Sequence, residues 1–132
     1  MPKSWAPDEY GYRFKGFHDW LCDMITTHSP DILAFEGPVM IRGPNAATTE
    51  HTIRTLIGMV SIAELIASLR GIRCFEANVA TAKKRLTGDG RAQKNDMIIA
   101  ATQLGYEVAN DHEADAIAVA LVVFDMLSDG ET

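Results

Sequence analysis

The chain has 132 residues, 47% of them apolar and 23% charged, and a formal net charge of −6. That length predicts a single domain over residues 1–132 with enough apolar material for a core, and the balance excludes disordered, collagen-like and low-complexity classes. No uninterrupted apolar run approaches the ~20 residues of a membrane span, and the first residues lack a signal-peptide pattern; the expectation is a cytoplasmic protein with no membrane partner. Cys22 and Cys74 lie in apolar patterns and form no C-x-x-C motif, as expected of thiols in a reducing compartment.

Residues 1–12, with two prolines and Gly11, have no clear period and predict an irregular lead-in. Phe14, Phe17, Leu21, Met24 and Ile25 recur at helical spacing, which predicts an amphipathic helix over 13–28, stopped by Ser29 and Pro30. The continuous apolar run 32–35 predicts a strand covered on both faces, as in a parallel sheet flanked by helices, and it ends at Glu36, Gly37 and Pro38. Residues 41–48 read as a loop, and Thr48 or Thr49 can cap a long helix whose inner face is Ile53, Leu56, Ile57, Val60, Ala63, Ile66 and Ala67. That helix stops near residue 70, with Gly71 as its C-terminal signal, and a second strand over 72–77 follows at once. Two strands joined by a crossover helix should be parallel and right-handed. Asn78 can cap a short helix to residue 86, and 87–90 is a loop. A further helix is predicted over 91–104, then a last one over 111–127 that is apolar on nearly every side and must be covered on most faces.

The net charge hides an asymmetry. Five of the twelve basic residues, Lys83, Lys84, Arg85, Arg91 and Lys94, fall in twelve positions with a single acid, Asp89, whereas residues 95–132 carry eight acids and no Lys or Arg. A cationic patch beside a carboxylate-rich segment suits metal-assisted phosphate chemistry: bases hold phosphate and acids hold the cation. The plain alternative is a solvated loop followed by an acidic surface helix.

Three places concentrate candidate chemistry. Glu36 stands at the carboxyl end of a strand, the edge where α/β proteins bind ligands, although a glutamate there can also be the first solvated residue of a loop. In the run Asp111, His112, Glu113, Ala114, Asp115, the histidine and Asp115 are three apart and share a helix face. Asp111 and Glu113 read as dipole-favoured first-turn acids, with Asp111 as the cap. Asp115 has apolar neighbours, so burying its carboxylate is costly unless it is paired or metal-bound. In the basic run, Gly88 and Gly90 make a flexible loop before Arg91 and Lys94 at a helix N-terminus, an arrangement that suits a DNA backbone rather than base readout. His18, His28 and His51 read as surface residues.

Taken in order, Phe35-Glu36-Gly37-Pro38 after a strand, a long helix, a second strand, the stretch from Ala82 through Lys83, Lys84, Gly88 and Lys94 to Met97, and finally His112 to Ala118 resemble the RuvC-type Holliday junction resolvases of the ribonuclease H-like superfamily. The resemblance covers roughly residues 14–127. It implies a ribonuclease H-like α/β fold with a mixed sheet flanked by helices, and a homodimer acting on branched DNA. It implies Mg²⁺ in a two-metal site with Glu36, His112 and Asp115 as catalytic ligands, and DNA contacts from Lys83 and Lys94 within the run Lys83, Lys84, Arg85, Arg91 and Lys94.

The departure is at the front. Family sequences open with an apolar strand carrying the first acid, followed by further strands, and nothing before Phe14 has that form; Asp8 lacks a strand context. The expected fold is therefore short of its leading strands. The first strand present would have an open apolar edge through which two copies could pair. Two functions follow: a metal-dependent endonuclease whose activity depends on the absent acid, or a non-catalytic DNA-binding or assembly protein.

Overall fold

Seven elements are built on residues 9–37 and 49–129, which the computed structural model describes: α1 (Glu9–His28), β1 (Ile32–Glu36), α2 (Glu50–Leu69), β2 (Arg73–Ala77), α3 (Val79–Thr87), α4 (Lys94–Gln103) and α5 (Asp111–Ser128). β1 and β2 are neighbours in a two-stranded sheet. Just past β1, the Gly37 N–H donates to the Ala77 carbonyl at 2.8 Å, so the carboxyl ends of the strands lie side by side, as in a parallel pair.

The described residues form two compact units. The first contains α1, α2 and the leading residues of both strands. Its core is Leu21 and Ile25 from α1 against Ala63 and Ile66 from α2, with Phe17, Cys22, Leu33, Ile62 and Ile72 packed around it. The two helices approach closely where the Phe14 ring lies on Gly58; a Cβ there would stand 2.3 Å from the ring. At one end the Tyr10 hydroxyl and His51 Nδ1 are 2.9 Å apart, and the Arg54 guanidinium sits 4.0 Å over the Tyr10 ring. At the other, Arg70 donates to the Thr26 hydroxyl at 3.3 Å.

The second unit takes Ala34–Gly37 and the chain from Phe75 onward. Its core is built mainly from alanine: Ala77, Ala82, Ala92, Ala101, Ala114 and Ala118, with Leu86, Met97 and Val119 filling between them. Small side chains at the contacts let α3, α4 and α5 approach closely, because helix separation follows the side chains at the crossing. This packing brings Lys83, Lys94 and Asp115, which sit on three different helices, into one neighbourhood.

Several boundaries differ from expectation, each for a local reason. α1 begins at Glu9, inside the predicted lead-in, because Glu9 is a first-turn acid whose carboxylate accepts from Arg13 at 2.6 Å one turn on. α4 begins at Lys94 rather than residue 91. Gln93 and Asp96 form a capping box there, the Asp96 carboxylate accepting the Gln93 N–H at 3.0 Å, so Arg91 lies in the preceding turn. The cap of α5 is Asn110, not Asp111. Thr49 caps α2 and Asn78 caps α3 as expected; Thr48 and the predicted loop 41–48 lie outside the described residues, as does Asp8.

Two further expectations need correction. His51 is half-buried against Tyr10 rather than a surface residue. α2 averages a mean hydropathy of 1.5 over an 18-residue window, which meets the length and composition of a membrane span although no uninterrupted apolar run does. Only 17% of that window is buried, at Ala63, Ile66 and Ala67, while Ile57, Leu65 and Leu69 are exposed.

Candidate functional site

Glu36 is the last residue of β1 and is half-buried. The start of α5 is organised by a reciprocal cap. The Asn110 side chain accepts the Glu113 N–H at 3.0 Å, and the Glu113 carboxylate reaches back to accept the Ala109 N–H at 2.6 Å. Glu113 is thereby committed to structure, whereas Asp111, His112 and Asp115 have no capping duty. One ligand atom from each of these three lies within 4.8 Å of the others, and they form the one group of three or more potential metal donors among the described residues.

The electrostatics tie Glu36 to this group. Burial raises the pKa of Glu36, the Asp115 charge raises it further, and Lys83 opposes both. Asp115 is raised by burial first and then by Asp111, while Lys83, His112 and Lys94 pull it down. Two half-buried carboxyls with raised pKa values, one shared lysine and an imidazole form an arrangement that a divalent cation would relieve, since it favours both charged forms at once. The carboxylate oxygens suit Mg²⁺ or Mn²⁺ in ligand type, whereas the imidazole is a ligand for transition ions, so the set fits the cation that the family resemblance implies through its carboxylates.

The five basic candidates separate. Lys83 on α3 is half-buried and lies near both carboxyls, and Lys94 is the first residue of α4, within electrostatic reach of Asp115. Arg85 points elsewhere: its guanidinium donates to both carboxylate oxygens of Asp125 on α5. Lys84 is exposed in the last turn of α3. Arg91 is exposed, with its backbone N–H held by the Asp89 carboxylate at 2.9 Å. The turn between α3 and α4 requires Gly88, which ends α3 at a φ of 88° that disfavours any residue with a Cβ. A separate cleft of about 340 Å³, lined by Thr87, Asp89, Asp96 and Gln103 among others, contains none of the predicted site residues.

Asp111 is the donor that the sequence pattern conceals, because it reads as the cap. A signal is present all the same: Asp111 and Asp115 are four apart, the spacing that places two side chains on one helix face, and Asn110 is as good a cap as aspartate.

Comparison with known proteins points to one family. The family model described as crossover junction endodeoxyribonuclease RuvC matches residues 6–123. RuvC of Salinibacter ruber is 30% identical over 118 residues, an alignment that takes in 86% of this chain and 62% of that protein, so the chain spans less than two thirds of this relative. Two solved structures of Thermus thermophilus RuvC match at 19% and 15% identity with TM-scores of 0.65 and 0.67. They cover 88% and 95% of this chain and 69% and 75% of their own; the second is in complex with a Holliday junction substrate. The likeness bears out the ribonuclease H-like α/β fold.

Proposed function

Since this chain belongs to the RuvC family of crossover junction endodeoxyribonucleases, we propose that it forms a metal-dependent nuclease domain acting on branched DNA such as Holliday junctions. The observation that carries the reading is the meeting of Asp111, His112 and Asp115 with Glu36, beside Lys83 and Lys94. Glu36, His112 and Asp115 would hold the Mg²⁺ ions. Bound there, the cations would supply an activated water and charge stabilisation for the leaving oxygen. Lys83 and Lys94 would hold the scissile phosphate and its neighbour, as sequence-independent backbone contacts. Lys84 and Arg91, both exposed on the same stretch, would extend that contact along the duplex. Two copies of the chain would act on a junction as a homodimer, and the expected compartment is the cytoplasm.

The acid that the family places on a leading strand has no counterpart among the described residues. Cleavage is therefore the decisive test. Mg²⁺-dependent cutting of a synthetic four-way junction, lost in Asp115→Asn and Glu36→Gln, is the expected result. Junction binding without cutting under any divalent cation would replace this reading with that of a non-catalytic DNA-binding or assembly protein.

A further inference from the structure

The exposed flank of α1 carries a donor pair that the nuclease site does not use. His18 and Cys22 are four apart, and the Cys22 sulfur lies 3.8 Å from His18 Nε2. The other ring nitrogen, Nδ1, lies 3.0 Å from the Asp19 carboxylate, and the second oxygen of that carboxylate accepts from Lys15 at 2.7 Å. With Nδ1 donating to Asp19, the Nε2 lone pair faces the thiol. This is the tautomer a metal-ligating histidine needs, set as such histidines usually have it set, by a carboxylate on the far nitrogen.

We propose that His18 and Cys22 form a binding site for a thiophilic divalent ion of the zinc class, with Asp19 orienting the imidazole. The span between the donors matches. Zinc bonds of about 2.3 Å to sulfur and 2.0–2.1 Å to nitrogen, opened at a tetrahedral angle, place S and N about 3.6 Å apart. Only a small rotation of either side chain separates that from the spacing found. The His18 side chain is half-exposed and Cys22 is half-buried, its sulfur held at the edge of the Leu21, Ile25, Ala63 and Ile66 core, so one donor is anchored and the other reachable. Binding replaces the thiol proton: the Cys22 S–H bond is broken, metal–sulfur and metal–nitrogen bonds form, and one proton leaves to solvent. Two coordination positions remain for water, one more than in a catalytic zinc site with three protein ligands, so the ion is held weakly and exchangeably.

The test uses the full chain with Cys74→Ser, so that one thiol remains, and Cd²⁺ as the probe. Sulfur-to-cadmium charge-transfer absorption reports only ions bound to a thiolate, and so ignores any ion held by Asp111, His112 and Asp115. The expected result is a band saturating at one Cd²⁺ per chain, displaced by Zn²⁺, with one proton released per ion. Cys22→Ser should abolish it. His18→Ala and Asp19→Asn, both at exposed positions and expected to leave the helical circular dichroism unchanged, should each weaken the affinity at least about tenfold. Undiminished affinity in His18→Ala would overturn the proposal by showing that the thiol acts alone. The band must also be present when Cys74 is retained; its absence from the unsubstituted chain would make the site a product of the Cys74→Ser change and overturn the proposal equally.

Discussion

Arg85 on α3 and Asp125 on α5 form a two-pronged ion pair, Nε donating to Oδ2 and the terminal nitrogen to Oδ1 at 3.3 Å. The pair takes one cation out of the basic run and uses it to join two helices of the second unit. Its pKa effect agrees: hydrogen bonding to Asp125 raises Arg85 above its ordinary value. Because the pair is solvent-exposed, its contribution to stability is small and screened by salt. Arg85→Ala should therefore lower the melting temperature slightly, an effect that shrinks at high salt, and should change junction affinity less than Lys83→Ala does. A junction affinity that falls as far as in Lys83→Ala would return Arg85 to the DNA-binding set.

Lys83 and Lys94 carry a different expectation. Each would neutralise a phosphate, so each alanine substitution should weaken binding to every branched sequence tested and reduce the slope of log K against log salt by about 1. Fluorescence anisotropy on a labelled four-way junction across a salt series measures this directly. An unchanged slope in the double variant would mean that this face does not meet the phosphate backbone.

The raised pKa values of Glu36 and Asp115 give a pH dependence whose sign can be worked out. Both groups hold their protons more tightly in the folded chain than in the unfolded one, with burial as the first cause. Their contribution to stability is thus fully present below the unfolded carboxyl values, about 3.9 for Asp and 4.3 for Glu, and is lost as pH rises through the raised folded values. Glu36→Gln and Asp115→Asn should both raise the thermal midpoint at pH 7, with the gain fading as pH falls through the raised folded values and gone below about 4. Mg²⁺ or Mn²⁺ should recover stability for the unsubstituted chain, by about 2.7 kcal/mol at a free concentration one hundred times Kd, and far less for Asp115→Asn. A lower midpoint for both variants at pH 7 would show that the charged forms are already compensated.

How far the residues alone disclose this arrangement depends on where each deciding partner lies. Apolar periodicity is enough to locate α2 and α5 and to mark Ala63, Ile66 and Ala67 and Ala114 and Ala118 as buried, but it overstates their cover: Ile57, expected on the inner face of α2, and Phe124, on the helix expected to be covered on most faces, are exposed. Spacing is enough for His112 and Asp115, because residues three apart on a helix meet on one face. What escapes is decided by side-chain choices that spacing leaves open. Asn110 and Asp111 are equally good caps, and only the backbone settles which one takes the role. Arg85 looks like its neighbours Lys83 and Lys84 until Asp125, forty residues on, is brought to it. His51 reads as a surface residue of the helix until Tyr10 is placed opposite. In each case the deciding partner is either adjacent and chemically equivalent or distant in the chain.

The alanine core that assembles the site is open to a direct packing test. Ala101 on α4 and Ala118 on α5 are fully buried, and Met97, 2% exposed, is the largest fully buried side chain among the described residues. A core this dependent on small residues has little room to give, so Ala118→Leu should force the helices apart and cost about 1–3 kcal/mol. Met97→Ala acts in the opposite sense, leaving a void that costs about 2–5 kcal/mol depending on how far the helices close around it. The two should also differ in function. Ala118 lies three residues from Asp115 on α5, so the overpacked variant should lose divalent-cation affinity, read by Mn²⁺ titration, as well as stability. Met97→Ala, three residues past Lys94 on α4, should act chiefly on stability and leave the Mn²⁺ affinity within about threefold, since a partly collapsed cavity displaces its surroundings less than an inserted side chain does. Equal loss of Mn²⁺ affinity in the two variants would mean that the donors respond to unfolding alone, and not to how α5 is seated.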